Sequence, residues 1–235
     1  MELNHHRKVR LPGGAARRAL RFGLLATAGL GVIGTTTGAA QAAGFGSGPV
    51  QGIAVADDSA HTLANPAHES RFQDSFTVHQ YGALFAAGVR NQATATASHC
   101  SAADPCRSVA LSFQIVTMAG TNIHLNAVNL SRAANVHCPG CESLAGAYQF
   151  IVSTPRPFTL DAAAQRQLAV VHRKLDALGR STASIADIRR QADVLAAQVA
   201  AILKSAAASA PKGPGVDALA QLEPQVTVHR VFDQS

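Results

Sequence analysis

The sequence predicts an α+β fold: a small antiparallel sheet of two pseudo-repeated, cysteine-flanked hairpins, followed by a C-terminal antiparallel helical hairpin. Three observations predict it. Residues 91–154 read as one unit written twice. Asn91, His99, Cys100, Cys106, Ser108, Ala110 and Gln114 fall in register with Asn129, His137, Cys138, Cys141, Ser143, Ala145 and Gln149. Between these landmarks the residues alternate with period two, the spacing of a strand. Over 159–205 the apolar residues recur instead every three or four positions, the spacing of a helix.

The chain opens on an export signal, residues 1–42. Six of the 20 Lys and Arg residues lie there (Arg7, Lys8, Arg10, Arg17, Arg18 and Arg21) with one of the 14 acids, Glu2. A basic segment ending at Arg21 precedes a modestly apolar run over 22–33, and Ala40-Gln41-Ala42 fits an A-x-A cleavage site. Arg17-Arg18 and the Gly-rich run suit twin-arginine export as well as the general route. The run is interrupted by Gly29 and Gly31. It falls short of the ~20 strongly apolar residues of a membrane span, so no transmembrane segment is expected after signal removal. The expected location is secreted or extracytoplasmic. The net charge of +6 belongs to the leader, because the rest carries 14 bases against 13 acids. That balance excludes a phosphate-directed surface, and no nucleic-acid partner is expected.

Residues 43–72, rich in Gly, Ala, Ser, His and Pro, read as a flexible linker. The α+β domain is expected over 73–205, with its sheet over 73–154. Residues 74–85 alternate weakly, Phe76 and Val78 against Ser75, Thr77 and His79, and give a first strand. The Ala/Thr alternation of 91–98 and the alternation of 122–130 precede the two Cys pairs. The β-branched run 109–118 and its copy 144–152 follow them. Pro139-Gly140 is a turn dipeptide, which puts a cysteine at each shoulder of its turn. Pro155 and Pro157 end the sheet.

The helical hairpin is expected over 159–205. Thr159 or Asp161 caps its first helix, Leu168, Val171, Leu175 and Leu178 line the seam, and Gly179 ends it. Ser184 and Asp187 form a capping box for the second helix, whose seam is Ile188, Ala192, Leu195, Val199 and Ile202. Residues 206–235 read as an Ala/Pro/Gly-rich linker and tail. Within it, 226–232 has strand composition, open to pairing with a sheet edge or to staying loose.

No H-E-x-x-H, G-x-S-x-G or phosphate-binding loop is present, and no catalytic residue is assigned. His79, His124, His172 and His229 are scattered and read as surface or hydrogen-bonded side chains. At the two Cys blocks and the helices after them, over residues 74–205, the chain resembles a group of small extracytoplasmic proteins of actinobacteria. These share an Asn-rich alternating strand, a Cys pair, an Ala-Phe-Gln or Tyr-Gln-Phe strand and a Leu-rich helical tail. The most specific matches are 106–116 and 138–152. Some members are labelled peptide zinc metalloprotease proteins. The label implies a protease, and this chain lacks the H-E-x-x-H to carry it. The first Cys pair of the family is also closer spaced than Cys100 and Cys106.

The four cysteines carry what chemistry the sequence offers. Outside the cytoplasm an even number of paired cysteines implies disulfides. If the two copies are equivalent, the pairs are Cys100–Cys106 and Cys138–Cys141; cross-repeat pairing stays open, since four cysteines allow three connectivities. The alternative is a zinc ion held by Cys100, Cys106, Cys138 and Cys141, with His99 and His137 able to replace a ligand. A third reading is thiol–disulfide chemistry at Cys138-Pro139-Gly140-Cys141. The expected function is that of a non-enzymatic exported protein that binds another protein or the cell surface, with no resident cofactor. The alternative is an accessory factor in peptide maturation with a Cys-based zinc or thiol–disulfide site. N-terminal sequencing of the exported protein is expected to start near Ala43; secreted protein that retains Met1 would refute the cleaved signal.

Overall fold

The alternation of the doubled unit does build strands, but they stack in parallel instead of folding back as hairpins. The computed structural model describes residues 35–36, 52–210 and 224–235. The predicted signal, Thr35 and Thr36 apart, lies outside them, as do 43–51 and 211–223. Its elements are β1 (Thr35–Thr36), β2 (Gly52–Ala64), β3 (Ser70–Ser98), β4 (Arg107–Ala119), β5 (His124–Val136), β6 (Glu142–Thr154), α1 (Ala162–Leu178), α2 (Ile185–Ala208) and β7 (Gln225–Gln234).

The strands form two layers joined by a coiling chain. In one layer β2 and β5 flank the second part of β3, both parallel to it. In the other, β4 pairs in parallel with the first part of β3 on one side and with β6 on the other. The long β3 therefore passes from one layer to the other. The chain makes three coils: β2 with the first part of β3, the rest of β3 with β4, and β5 with β6. β7 adds antiparallel to the free edge of β6, and β1 adds parallel to β3 at Val78 and His79.

The sequence repeat is the ladder register. Asn91 lies beside Asn129, and Ser108, Ala110 and Gln114 lie beside Ser143, Ala145 and Gln149. The α+β class holds, whereas the antiparallel hairpins are replaced by a mostly parallel, mixed arrangement. Period-two alternation establishes a strand and its faces but not which strand pairs with it. Here each Cys-bearing turn carries the chain across to the other layer, so the two halves of a unit face each other and each pairs with its copy.

The linker reading of 43–72 fails over its described part. Gly52–Ala64 is strand β2, and Ser70 begins β3. Ala54, Ala56, Asp58, Ala60 and Ala64 occur at every second position or its multiple and are buried, while Ile53, Val55 and Leu63 between them are exposed. This is a third copy of the unit, with Asp58 beside Asn91 and Ala60 beside Ala93.

Over its middle the space between the layers is lined by small residues, and toward one end Leu84, Val89, Val116, Met118 and Ile151 fill it with Ala54, Ala56 and Ala87. Ala60, Ala93, Ala95, Ala110, Ala133, Ala145 and Ala147 form one buried cluster there. Alanine is a poor strand former, and what selects it is close approach of the layers. The Asn91 amide spans the gap directly, donating from Nδ2 to the carbonyls of Ser112 (3.3 Å) and Tyr148 (3.0 Å). A larger apolar cluster sits on the opposite side of β4 and β6. Leu111, Phe113, Ile115, Leu144, Tyr148 and Phe150 are buried there against the two helices.

The helical hairpin follows the sequence closely. Asp161 caps α1 by accepting from Ala164 N at 2.7 Å, and the Ser184 hydroxyl caps α2 by accepting from Asp187 N at 3.1 Å. Leu168, Val171, Leu175 and Leu178 of α1 are buried against α2 and the first part of β3, and Ile188, Ala192, Leu195 and Val199 of α2 against α1, β4 and β6. α2 continues to Ala208, inside the stretch read as linker, and residues 225–234 return as an edge strand. Asp193 ties these elements together. Its Oδ1 accepts from the Tyr148 hydroxyl at 3.1 Å and from Arg230 Nη1 at 2.8 Å.

Ala93→Leu places three extra carbons where the side chain is fully buried between the layers. The expected loss is about 1–3 kcal/mol by urea denaturation, with overpacking as its cause. Thr94→Leu, on the outward side of the same strand, is expected to change stability by less than about 0.5 kcal/mol. Equal losses at the two positions would refute the narrow interior.

Candidate functional site

The turns of the second and third coils stack at one corner and bring the four cysteines together. His99 and His137 have positive φ, 60° and 48°, at equivalent places just before the first Cys of each turn. Few non-glycine residues take this conformation, and His is, with Asn and Asp, among those that take it most often. It turns the chain out of the strand, leaves both imidazoles exposed with ring centroids 5.7 Å apart, and sends Cys100 and Cys138 inward. Gly140 has φ 78°, which lets the two-residue loop of the third coil close.

Cys100 pairs with Cys106 and Cys138 with Cys141 at disulfide distance, with Cα separations of 5.8 Å and 5.5 Å. All four are buried in one cluster with Ala64 and Ala97. The sulfurs of Cys100, Cys138 and Cys141 lie within 4.8 Å of one another. The Cys106 N–H donates to Cys141 Sγ at 3.0 Å. The turns are also bound to each other through the backbone: Glu142 N donates to Cys106 O at 2.9 Å and His99 N to Val136 O at 3.0 Å. The corresponding turn of the first coil has no cysteine. There Asn65 closes the loop, its Oδ1 accepting from Ala67 N and His68 N at 3.0 Å.

A second polar feature runs through the interior. Gln149 Nε2 donates to Gln114 Oε1 at 2.8 Å, and Gln114 Nε2 donates to Asp58 Oδ2 at 2.6 Å. Asp58 Oδ2 also lies 2.7 Å from His79 Nε2. The chain of groups thus ends on a buried carboxylate in the first coil. Burial pushes the Asp58 carboxyl upward, but hydrogen bonds from His79 and Gln114 and the charge of His79 outweigh it, and its pKa falls below the usual carboxylate value. Sequence reasoning passed over Asp58 because it lay in the presumed linker. Its signal was its position within alternating alanines ahead of Asn91. His172 is likewise internal: its ring stacks on Phe76 at 4.9 Å, and its Nε2 lies 3.2 Å from Asp74 Oδ2.

No family model, curated protein or solved structure matches the chain. Among the described residues no helix is long and apolar enough to cross a membrane.

The third feature is a surface that none of the described elements covers. The helices cover the outer side of the layer that contains β4 and β6. The outer side of the β2–β3–β5 layer carries Ile53, Val55, Leu63, Leu130 and Val136 as exposed apolar residues; Val55 is 74 % exposed. Ladder neighbours on this side include Ser59, Gln92 and Leu130, and His61, Thr94 and Arg132.

Asp58 gives a test by pH. Its folded pKa lies below its unfolded value near ~3.9, so its contribution is complete above that value and is lost as pH falls through the folded pKa. Asp58→Asn is expected to cost about 1–3 kcal/mol at pH 7 through the lost charge-assisted hydrogen bonds. Urea denaturation of both proteins from pH 7 to pH 2 should show the gap narrowing with acid; a constant gap would show that the carboxylate charge is not what the site uses.

Proposed function

We propose that the mature chain is an exported, non-enzymatic binding protein that presents the bare side of its β2–β3–β5 layer to a protein partner. The observation that carries this reading is the unequal covering of the two layers. Parallel sheets are ordinarily covered on both faces. Here α1 and α2 cover one layer, while the other leaves Ile53, Val55 and Leu63 in solvent on β2 and Leu130 and Val136 on β5. Along the ladder these apolar side chains alternate with polar ones, Asp57, Ser59 and His61 lying between Val55 and Leu63, which gives the mixed composition of a non-obligate interface. Arg90, Gln92, Thr94 and Arg132 supply donors among these side chains, which suits a partner that offers apolar side chains with carbonyl or carboxylate acceptors. Paired cysteines at disulfide distance support export, because such bonds persist outside the cytoplasm.

The test is a photo-crosslinking residue placed singly at Val55, at Leu130 and, on the helical side, at Val194, in protein secreted by its own cells. Discrete adducts are expected from Val55 and Leu130 and not from Val194. In purified complex, Val55→Asp with Leu130→Asp should weaken binding by about tenfold or more while the melting temperature holds. Equal adducts from Val194, or unchanged affinity in the double variant, would refute the assignment. Adducts that yield to glycan digestion and not to protease would replace the protein partner with a cell-surface polymer.

A further inference from the structure

The two cysteine turns lie side by side one coil apart, so cross-coil pairing is within reach of the sulfurs. Cys100, Cys138 and Cys141 have their Sγ atoms within 4.8 Å of one another, and Cys106 N–H points at Cys141 Sγ from 3.0 Å. We propose that this corner is a thiol–disulfide exchange site whose substrate is a dithiol, with its two disulfides exchanging partners across the coils. The site is separate from the binding face and does not depend on it.

The outer bond is the entry point. Cys138 and Cys141 are 8 % and 7 % exposed, against 4 % and 1 % for Cys100 and Cys106. A substrate thiolate attacks Cys138 Sγ and forms a mixed disulfide there. The Cys138–Cys141 bond breaks, and its electron pair stays on Cys141 Sγ. The Cys106 N–H already directed at that sulfur stabilises the thiolate as it leaves, since hydrogen bonds to a charged acceptor are the strong ones. The second thiolate of the substrate attacks its own sulfur in the mixed disulfide, leaves as a cyclic disulfide and frees Cys138 as a thiolate.

Exchange then moves inward. The Cys141 thiolate attacks Cys100 Sγ, the Cys100–Cys106 bond breaks, and Cys106 leaves as the thiolate. Cys106 and Cys138 take protons from solvent. One dithiol has been oxidised by two electrons, the chain has been reduced by two, and the surviving disulfide, Cys100–Cys141, now joins two coils. Cys100 and Cys141 lie diagonally across the corner, one after β3 and one before β6, and their sulfurs are already within 4.8 Å of each other. Two cysteines locked in separate pockets lack this path. What opens it here is the parallel register, which repeats the Cys turn directly beside its copy.

Tryptic mapping of the mature chain tests the exchange, because cleavage after Arg90, Arg107 and Arg132 puts the two pairs on separate peptides. Protein purified without reductant is treated with one equivalent of dithiothreitol, alkylated and digested. The expected main product of partial reduction is a joined species linking Cys100 to Cys141, with Cys106 and Cys138 alkylated. A product in which one local pair is alkylated, the other is intact and no joined peptide forms would overturn the proposal. Cys106→Ala supplies a second measurement without added reductant. Its Cys100 thiol should displace one sulfur of the outer pair and yield the joined peptide in a chain with wild-type far-UV circular dichroism. Full alkylation of Cys100 beside an intact Cys138–Cys141 bond would overturn it equally.

Discussion

How closely the two parallel layers approach decides most of the rest. The gap admits alanine and serine along Ala60, Ala93, Ala95, Ala110 and Ala145, all fully buried. It is narrow enough for one Asn91 side chain to reach backbone carbonyls on β4 and β6. This alanine-lined part buries little apolar area per residue, and at about 25 cal/mol per Å² it contributes little to a core. The aromatic side chains of β4 and β6 lie outward instead, while Leu84, Val89, Val116, Met118 and Ile151 fill one end of the gap. Phe113, Tyr148 and Phe150 leave the far side of the β4–β6 layer and require a cover. The helical hairpin is that cover, and its alanine-rich, leucine-lined seam follows from the need to lie flat on a sheet.

The narrow gap also dictates what polar groups do there. A buried amide without a partner is costly, so asparagine and glutamine are tolerated only where neighbouring coils repeat them in register. Asn91 bonds Asn129, and Gln149 bonds Gln114. The Gln149 Oε1 is left without a hydrogen-bond partner among the described residues, and at both ends of the ladder other groups take over. At the first coil the asparagine position becomes Asp58, an acceptor that receives both Gln114 and His79. At the last coil β7 closes the end: Asp233 accepts from Ala133 N, and Asn129 donates to His229 O. The antiparallel direction of β7 breaks the parallel stacking, which is how a repeat array is kept from adding further copies at that edge.

The same physics explains which parts of the fold could be read from the sequence. The repeat register was legible because stacked coils demand like residues side by side: Asn91/Asn129, Ser108/Ser143, Ala110/Ala145 and Gln114/Gln149 are ladder neighbours, and the His and Cys landmarks lie in the turns beyond the ladders. The helices were legible through their 3.6-residue seam and their Asp161 and Ser184 caps. The direction of strand pairing was not. Strand–turn–strand reads alike whether the second strand pairs with the first or crosses to an opposing layer, and only the contact between turns distinguishes them. The first coil was lost for a different reason. Its strand is built from alanines, its turn lacks cysteine, and its asparagine has become Asp58, so composition suggested a linker where period two indicated a strand.

Coiling converts a separation of 35 or 38 residues in sequence into the distance between neighbouring strands. A feature that is unremarkable in one copy of the unit becomes a different object when the copy above repeats it. A single Cys-loop-Cys pins one turn. Two of them, stacked with an N–H of one aimed at a sulfur of the other, set four sulfurs within one buried cluster. The same holds on the bare face, where three strands each contribute alternate residues and no single stretch of sequence contains the surface. Chemistry in such a fold belongs to columns rather than to segments. The first coil shows the converse: with Asn65 where a cysteine turn would stand, the column of sulfurs ends at two coils and the corner is closed by hydrogen bonds to a side-chain oxygen instead.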